Sequence, residues 1–495
     1  MNRWMMDFPH DFTTRMQQWL GASYTLLANA LQGDSPVSIR LNPAKQAMSV
    51  DGWERVTGYE TRADTNVMTK ELKGCEKVAW CETGYYLPER PSFTFDPLFH
   101  AGCYYVQEAS SMFIEQVVKQ YITTPVVCLD LCAAPGGKST HLQSLLPAKS
   151  LLVSNDVIQS RASVLKENMI KWGAPYTMVT CNDPKDFGQL THLFDMIVAD
   201  LPCSGEGMFR KDRNSRNEWS LDNVKLCAAR QRRILHDIWP SLKPGGLLVF
   251  STCTFNVEEN EENIRHLIEN YNAEVLPITI DNRWRISPAI NESFPMYRFY
   301  PHLTKGEGFC LALVRKPIKH TYNHESNKIP ICVNPYRPHH PRSSQTTPCC
   351  NDWIKLADDS FQFDVSKNRI QAIPESLSGI YRLLSAHLRV LYGGVAVGEI
   401  KGNDIVPSPA LALSTCFQSE AFPSIELSKE MCIRYLQNEA LVLPESVPKG
   451  YVVVKYQHTP LGFVKNIGTR ANNLYPQEWR IRTRLPLSSS NAKNL

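Results

Sequence analysis

The feature that most restricts the fold is a short apolar run that ends abruptly on a charged residue. Phe194 to Gly207 reads Phe-Asp-Met-Ile-Val-Ala-Asp-Leu-Pro-Cys-Ser-Gly-Glu-Gly. Met196 to Ala199 has the pattern of a strand buried on both faces of a parallel sheet. The run stops at Asp200, and Pro202 forbids a further ladder hydrogen bond. Asp200 and Cys203 are therefore expected at the carboxyl end of a central strand, where open α/β sheets bind ligands. A second apolar run, Gly246 to Ser251, delivers Cys253 at its own carboxyl end.

Strand and helix patterns alternate around this stretch from 125 to 315, the signature of an α/β fold with a Rossmann-like, doubly wound parallel sheet. Strands are predicted at 126–131, 150–155, 177–181, 194–199 and 246–251, with a hairpin near 308–314. Helices are predicted over Ser139 to Leu146, Ile158 to Trp172 and Ser220 to Leu242, the last stopped by Pro244-Gly245-Gly246. A further helix is expected from Asn256, a good N-cap. Glu258, Glu259, Glu261 and Glu262 in its first turns suit the helix dipole, which gives them a structural role.

A chain of 495 residues is too long for one core. Residues 1–115 read as an accessory domain: apolar positions at helical spacing over 10–32, an extended piece from Ser38 to Pro43, then aromatics (Trp80, Tyr85, Tyr86, Tyr104, Tyr105). Those rings are expected to form a core, with stacking on splayed bases as the alternative. The α/β pattern sets a second domain at 116–316. Residues 317–375, with prolines at 317, 330, 335, 338, 341 and 348 and the pair His339-His340, read as a linker and spacer. Cys349-Cys350 receives no function. Residues 376–495 are β-rich, which suggests a compact barrel.

The fifteen cysteines include no Cys-x-x-Cys pair, and no His-Glu-x-x-His occurs, so no metal is expected. Reduced thiols in a cytoplasmic compartment are the default for such a chain. No stretch reaches about 18 uninterrupted apolar residues and the N-terminus lacks an apolar signal region, so no membrane partner is expected. A net charge of +4 is compatible with nucleic acid without requiring it.

After the first strand comes Cys132-Ala133-Ala134-Pro135-Gly136-Gly137-Lys138. Small residues directly after a strand let the backbone approach a ligand at the next helix N-terminus. A phosphate-binding P-loop needs a glycine where Cys132 stands, and the dinucleotide Gly-x-Gly-x-x-Gly is absent. Asp156 ends the second strand, where Rossmann-like sites hold ribose hydroxyls, and Asp183 follows the third, placed to reach an adenine edge. Together they outline a nucleoside pocket with no pyrophosphate requirement, which S-adenosyl-L-methionine fits.

The loop from Cys132 to Lys138, the stretch from Asp200 to Gly207 and Ser251-Thr252-Cys253-Thr254 resemble the motif set of the RNA (cytosine-C5) methyltransferases. Ser38 to Pro43 and Val106 to Met112 resemble that family's N-terminal elements. Gly462-Phe463-Val464-Lys465 and Asn473-Leu474-Tyr475-Pro476 are similar to the PUA-like domain of the bacterial small-subunit methyltransferase F type, which modifies a cytosine of 16S ribosomal RNA, position 1407. Leu201 departs from the alanine or proline usual there.

The resemblance implies that Cys253 adds to carbon 6 of the cytosine, that Asp200 serves N3, and that Cys203 takes part in product release. The residues alone leave either thiol as the nucleophile, since in DNA cytosine methyltransferases the Pro-Cys thiol attacks. Lys138 is expected to orient Asp200. The cofactor set is then Cys132 to Lys138 with Asp156, Asp183 and Asp200, the substrate 16S ribosomal RNA in the small subunit, and the protein a monomer. A tRNA substrate or a non-catalytic RNA-binding assembly factor are the alternatives. Arg210, Lys211, Arg213, Arg216, Arg230, Arg232 and Arg233, and in the C-terminal part Lys465, Arg470, Arg480 and Arg482, are candidates for phosphate contacts.

Overall fold

The computed structural model describes residues 8–45, 74–212, 214–318 and 350–483. Arg213, the prolines from 330 to 348, His339-His340 and Cys349 lie outside the described residues.

Five parallel strands carry the fold: β1 (Val127–Asp130), β2 (Leu151–Asn155), β3 (Thr177–Thr180), β4 (Phe194–Asp200) and β5 (Leu242–Thr252), in spatial order β3-β2-β1-β4-β5. Chain order reverses between β1 and β4, which opens a crevice at their carboxyl ends. Beyond β5 lies the antiparallel β8 (Phe309–Arg315), which pairs with both β6 (Glu274–Leu276) and β7 (Tyr297–Phe299). The connecting helices include α1 (Gly137–Leu145), α2 (Gln159–Trp172), α3 (Leu221–Ile238) and α4 (Glu261–Tyr271).

Alternate residues of the strands feed two cores. Cys128, Leu152, Met196, Val198 and Val249 face one. Leu129, Val153, Ile197, Ala199, Leu248 and Phe250 face the other. This two-sided burial is why the runs read as continuously apolar.

Helix α3 ends at Ile238 rather than at Pro244-Gly245-Gly246, and a 3-10 turn (Trp239–Ser241) follows it. The proline and glycines lie inside β5 as a bulge, the pairing to β4 jumping from Phe194↔Leu242 to Met196↔Leu247. Gly245, at φ 76°, turns its N–H onto the Lys316 carbonyl at 2.8 Å, a conformation that suits a residue without Cβ.

The N-terminal region forms helices His10–Leu20 and Tyr24–Gln32 and a four-stranded sheet of Val37–Leu41, Glu76–Lys77, Gly84–Leu87 and Tyr104–Val106. Trp80, Tyr86 and Tyr104 are buried in cores. Arg40, on the first of these strands, is fully buried and joins this sheet to helices α1 and α2. Its Nε donates to Gln107 Oε1 at 2.8 Å and its Nη2 to Thr140 Oγ1 at 2.6 Å, while the guanidinium lies 4.5 Å over the Trp172 ring.

The C-terminal region is two four-stranded sheets that share a core, in place of the single barrel expected. One contains Phe361–Ser366 and Arg369–Pro374, an antiparallel hairpin within the stretch read as spacer. Proline density upstream masked the alternation of Phe361, Phe363 and Val365. A further strand, β9 (Val390–Gly393), leaves this region and pairs antiparallel with β3, so C-terminal residues close one edge of the catalytic sheet. Among the described residues no helix is long and apolar enough to cross a membrane.

The hairpin side of the sheet is pinned by a buried ion pair. Arg298 and Glu261 are 2% and 1% exposed, and Arg298 Nε donates to Glu261 Oε1 at 2.8 Å while Nη1 donates to the Phe255 carbonyl at 2.7 Å. Removing one partner strands the other charge out of water. Arg298→Met is expected to lower stability by about 3–5 kcal/mol in urea unfolding, and a loss below 1 kcal/mol would show that Glu261 is readily re-solvated.

Candidate active site

The site is built from the loops that follow β4 and β5. Asp200 ends β4 and is held on both oxygens: Ser251 Oγ, on β5, donates to Oδ1 at 2.7 Å and Lys138 Nζ to Oδ2 at 2.8 Å. Leu201 turns away into the core, 3% exposed, while its N–H continues the ladder to the Ser251 carbonyl at 2.9 Å. Lys138 comes from the first turn of α1 and lies 5.2 Å from the Phe309 ring centroid. Burial pulls its ammonium down, but Asp200, Asp130 and Cys253 more than reverse this, so it is held above its ordinary value and charged. The two loop thiols meet, with Cys203 Sγ 3.1 Å from Cys253 Sγ. The hydrogen bond to Cys253, with burial, pushes the Cys203 thiol well up.

Two buried carboxylates clamp these loops together. Glu206, on the loop after β4, accepts from Thr254 Oγ1 at 2.7 Å and from the N–H groups of Phe255 and Asn256 at 2.7 and 2.8 Å, all on the loop after β5. Glu259 works in the opposite direction. It accepts from Ser204 N–H at 2.9 Å, from Gln231 Nε2 at 3.0 Å, from Asn256 Nδ2 at 2.6 Å and from the Ser204 hydroxyl. Helix α4 begins only at Glu261, so Asn256 is not its cap and Glu259 is not a dipole acid. Both belong to this network. Gly207 N–H also donates to the Cys253 carbonyl at 2.8 Å. A Cβ on Gly207 would meet Gly308 O at 2.6 Å and Cys253 O at 2.7 Å, so only glycine permits that approach.

The loop after β1 runs Cys132 to Lys138 and carries a cis Ala134–Pro135 bond. It is tied to the ends of β2 and α2: Ala133 N–H donates to Asn155 O at 2.7 Å, and Asn168 Nδ2 to Pro135 O at 2.8 Å. Gly136, at φ 115° and buried, opens α1 in a conformation that side chains rarely adopt. Below the loop, Asp130 Oδ2 accepts from Ser139 Oγ at 2.7 Å, while its other oxygen is buried without a hydrogen-bond partner. Burial raises this carboxyl to about 7. Asp156 and Asp183 sit at the ends of β2 and β3, and each also serves its own turn. Asp156 accepts from Ile158 N–H at 3.0 Å and Asp183 from Lys185 N–H at 3.1 Å.

The basic residues divide. Arg210 pairs with the buried Glu307 at 3.0 Å, Arg216 donates to the Phe209 and Leu31 carbonyls, and Arg232 and Arg233 pair with Glu262 and Asp183. Lys211 and Arg230 are exposed. In the C-terminal sheets Lys465 pairs with Asp404 at 3.2 Å, and Arg470, Arg480 and Arg482 are exposed.

Comparison with known proteins bears on the whole chain. Residues 123–315 match the family described as 16S rRNA methyltransferase RsmB/F, residues 8–109 its RsmF N-terminal domain and residues 422–481 the RsmF PUA domain. Ribosomal RNA small subunit methyltransferase F of Cronobacter sakazakii is 30% identical over 414 residues, 81% of this chain and 84% of that one. The chain belongs to the small subunit methyltransferase F family. The Erwinia tasmaniensis member is 26% identical over 482 residues, covering 95% of this chain and 96% of its own. A methyltransferase homolog protein from Pyrococcus horikoshii, 28% identical, superposes with a TM-score of 0.52 over 64% of this chain and the whole of that one. A Rossmann-like methyltransferase sheet, an N-terminal domain and a C-terminal PUA domain are thus the architecture this methyltransferase F family member shares with its relatives.

Within this family member's site, Ser251, Glu206, Glu259, Asp130 and Phe309 were not singled out as functional by sequence reasoning. The signal for Glu259 was the density of polar residues from Thr252 to Asn263 directly after a strand tip, which is far more than a helix cap needs.

Burial first, then Glu206, raises the Glu259 carboxyl from its ordinary 4.5 to about 7. Between those values the folded protein holds a proton that the unfolded chain has released. Its contribution is therefore full below pH 4.5 and is lost as pH rises through 7. Glu259→Gln is expected to be less stable overall, with the Tm gap to wild type narrowing as pH rises from about 4.5 to 7. A gap independent of pH would show that the carboxyl stays ionised throughout.

Proposed function

We propose that this protein methylates carbon 5 of a cytosine in 16S ribosomal RNA, using S-adenosyl-L-methionine and a covalent link between Cys253 and carbon 6 of the base. The single observation that carries the reading is the contact of two thiols at 3.1 Å beside the Lys138–Asp200 pair, on the tips of adjacent strands. The names of the family and of its members supply the substrate.

Carbon 5 of cytosine is a weak nucleophile until a group adds to carbon 6. Cys253 is the better candidate for that addition. The likeness of Ser251-Thr252-Cys253-Thr254 to the family's motif points to it, and the Cys203 thiol, 3.1 Å away, can share a hydrogen bond with its sulfur. As the Cys253 sulfur bonds to carbon 6, electron density moves to N3, where Asp200 supplies a hydrogen bond or proton. Lys138 and Ser251 fix the orientation of that carboxyl. S-adenosyl-L-methionine supplies the electrophilic methyl group. The backbone from Cys132 to Gly137, with Asp156, Asp183 and Asp200, would hold it, and the buried, unpaired Asp130 oxygen beneath the loop fits a polar group arriving from that side. Once carbon 5 is methylated, its proton passes to a base or water at the site, and the electron pair left behind re-forms the double bond and expels the Cys253 sulfur as a thiolate. Cys203, in contact with the departing sulfur, is assigned to that release. The base must leave its stack, at a cost of a few kcal/mol. Exposed cations such as Lys211 and Arg230, together with the PUA domain, would grip the surrounding RNA in a salt-dependent way.

Incubation with methyl-labelled S-adenosyl-L-methionine and either small subunits or naked 16S RNA, followed by mapping of the product, tests the reading; label confined to tRNA, or to another atom of the base, overturns it. Cys253→Ala is expected to form no covalent adduct, Cys203→Ala to accumulate one visible as a shifted band on denaturing gels, and Asp200→Asn to lower turnover by about 10²–10⁴-fold. An adduct in Cys253→Ala but none in Cys203→Ala would exchange the two thiols.

A further inference from the structure

Away from the catalytic loops, a second group of ligand-type side chains meets where three elements cross. Cys81 lies in the turn before strand Gly84–Leu87, Glu115 on helix Ile114–Tyr121 and His141 on α1, three residues after Lys138. They are 2%, 1% and 0% exposed. His141 Nε2 is 3.0 Å from Glu115 Oε2 and 3.7 Å from Cys81 Sγ, and the three ligand atoms all lie within 4.8 Å of one another.

Tetrahedral zinc, with Zn–S near 2.3 Å and Zn–N and Zn–O near 2.0–2.1 Å, sets its N···S and N···O separations at about 3.6 and 3.3 Å. The observed 3.7 and 3.0 Å need adjustments of only a few tenths of an ångström. The other carboxylate oxygen, Oε1, is already engaged by Lys119 Nζ at 2.7 Å and by Glu82 N–H at 3.0 Å. Such outer partners orient a ligating carboxylate and leave Oε2 to face the centre. Arg40, another cation that acts on the group, has Nε and Nη2 engaged with Gln107 and Thr140. His141 Nδ1, the ring nitrogen that would keep the proton, is buried with no hydrogen-bond partner. A cavity of about 360 Å³, lined by Cys81, Glu82, Glu115 and Lys119 among others, adjoins it and offers an entry path and room for water as a fourth ligand.

We propose that Cys81, Glu115 and His141 bind one zinc-class divalent ion. Binding releases the Cys81 proton to solvent and leaves the imidazole proton on Nδ1 rather than on Nε2, and the thiolate, carboxylate and neutral imidazole then complete three of four positions. This mixed S, N, O set suits zinc rather than calcium or magnesium. The ion ties the N-terminal turn to the helix whose first turn carries Lys138, and so acts as a staple behind the cofactor loop. Its ligands span 60 residues of sequence, with none of the short spacings that mark zinc motifs.

The test uses the full-length, untagged protein. Elemental analysis of wild type loaded with zinc and freed of excess should give one equivalent, with Cys81→Ser and His141→Gln well below it and Cys181→Ser, at a more exposed thiol, unchanged. Cobalt(II) should produce a near-ultraviolet thiolate-to-metal band in wild type that Cys81→Ser lacks. Chelator should lower the Tm of zinc-loaded wild type and leave that of Cys81→Ser where it was. A metal-free wild type after loading, or a cobalt–thiolate band that survives in Cys81→Ser, overturns the site, and the wild-type measurements decide the matter even where a variant fails to fold.

Discussion

Everything at the candidate active site depends on two loops being held at a fixed separation by two carboxylates that have been taken out of water. Glu206 reaches from the β4 loop to the β5 loop, and Glu259 reaches back. A buried carboxylate is costly unless its lone pairs are filled, and here each accepts four hydrogen bonds. Reciprocal anchoring of this kind leaves neither loop able to shift without exposing unsatisfied groups on both. The sulfur contact between Cys203 and Cys253 is the outcome of that geometry and does not need to supply it.

The same logic extends outward in layers. Gln231 of α3 bonds both Glu259 and the Pro202 carbonyl, and its own side-chain oxygen accepts from Asn263 of α4, so two helices brace the loop from behind. On the side of the Cys132–Lys138 loop, Arg40 ties α1 to the N-terminal sheet. Lys138 is thereby positioned from one flank while Ser251 positions Asp200 from the other. A hydrogen-bonded pair at a strand tip keeps its orientation because each member is fixed by a separate rigid element.

The catalytic sheet was legible because its chemistry is local: an apolar run, a proline stop, a thiol. Strand tips at Asp200 and Cys253 follow from side-chain periodicity and from what proline forbids. What was not legible depends on pairs far apart in sequence. Glu259 looks like a helix-dipole acid until its partner Ser204, 55 residues earlier, is seen beside it. Pro244-Gly245-Gly246 reads as a terminator because its role as a bulge exists only against the opposite strand and the Lys316 carbonyl. The hairpin of Phe361–Ser366 and Arg369–Pro374 was hidden by its proline-rich surroundings.

Strand β9 illustrates how far the chain's modules are interleaved. Val390–Gly393 covers the flank of β3, although more than two hundred residues of sequence separate the two. A protein cut back to the stretch that matches the methyltransferase family alone would bare a row of unpaired amides and carbonyls along β3, an adhesive seam open to any extended peptide or to a second copy. The C-terminal region is thus also a selvedge for the methyltransferase sheet, and gene fusion or fission between the two would have to replace that trim before it could be tolerated.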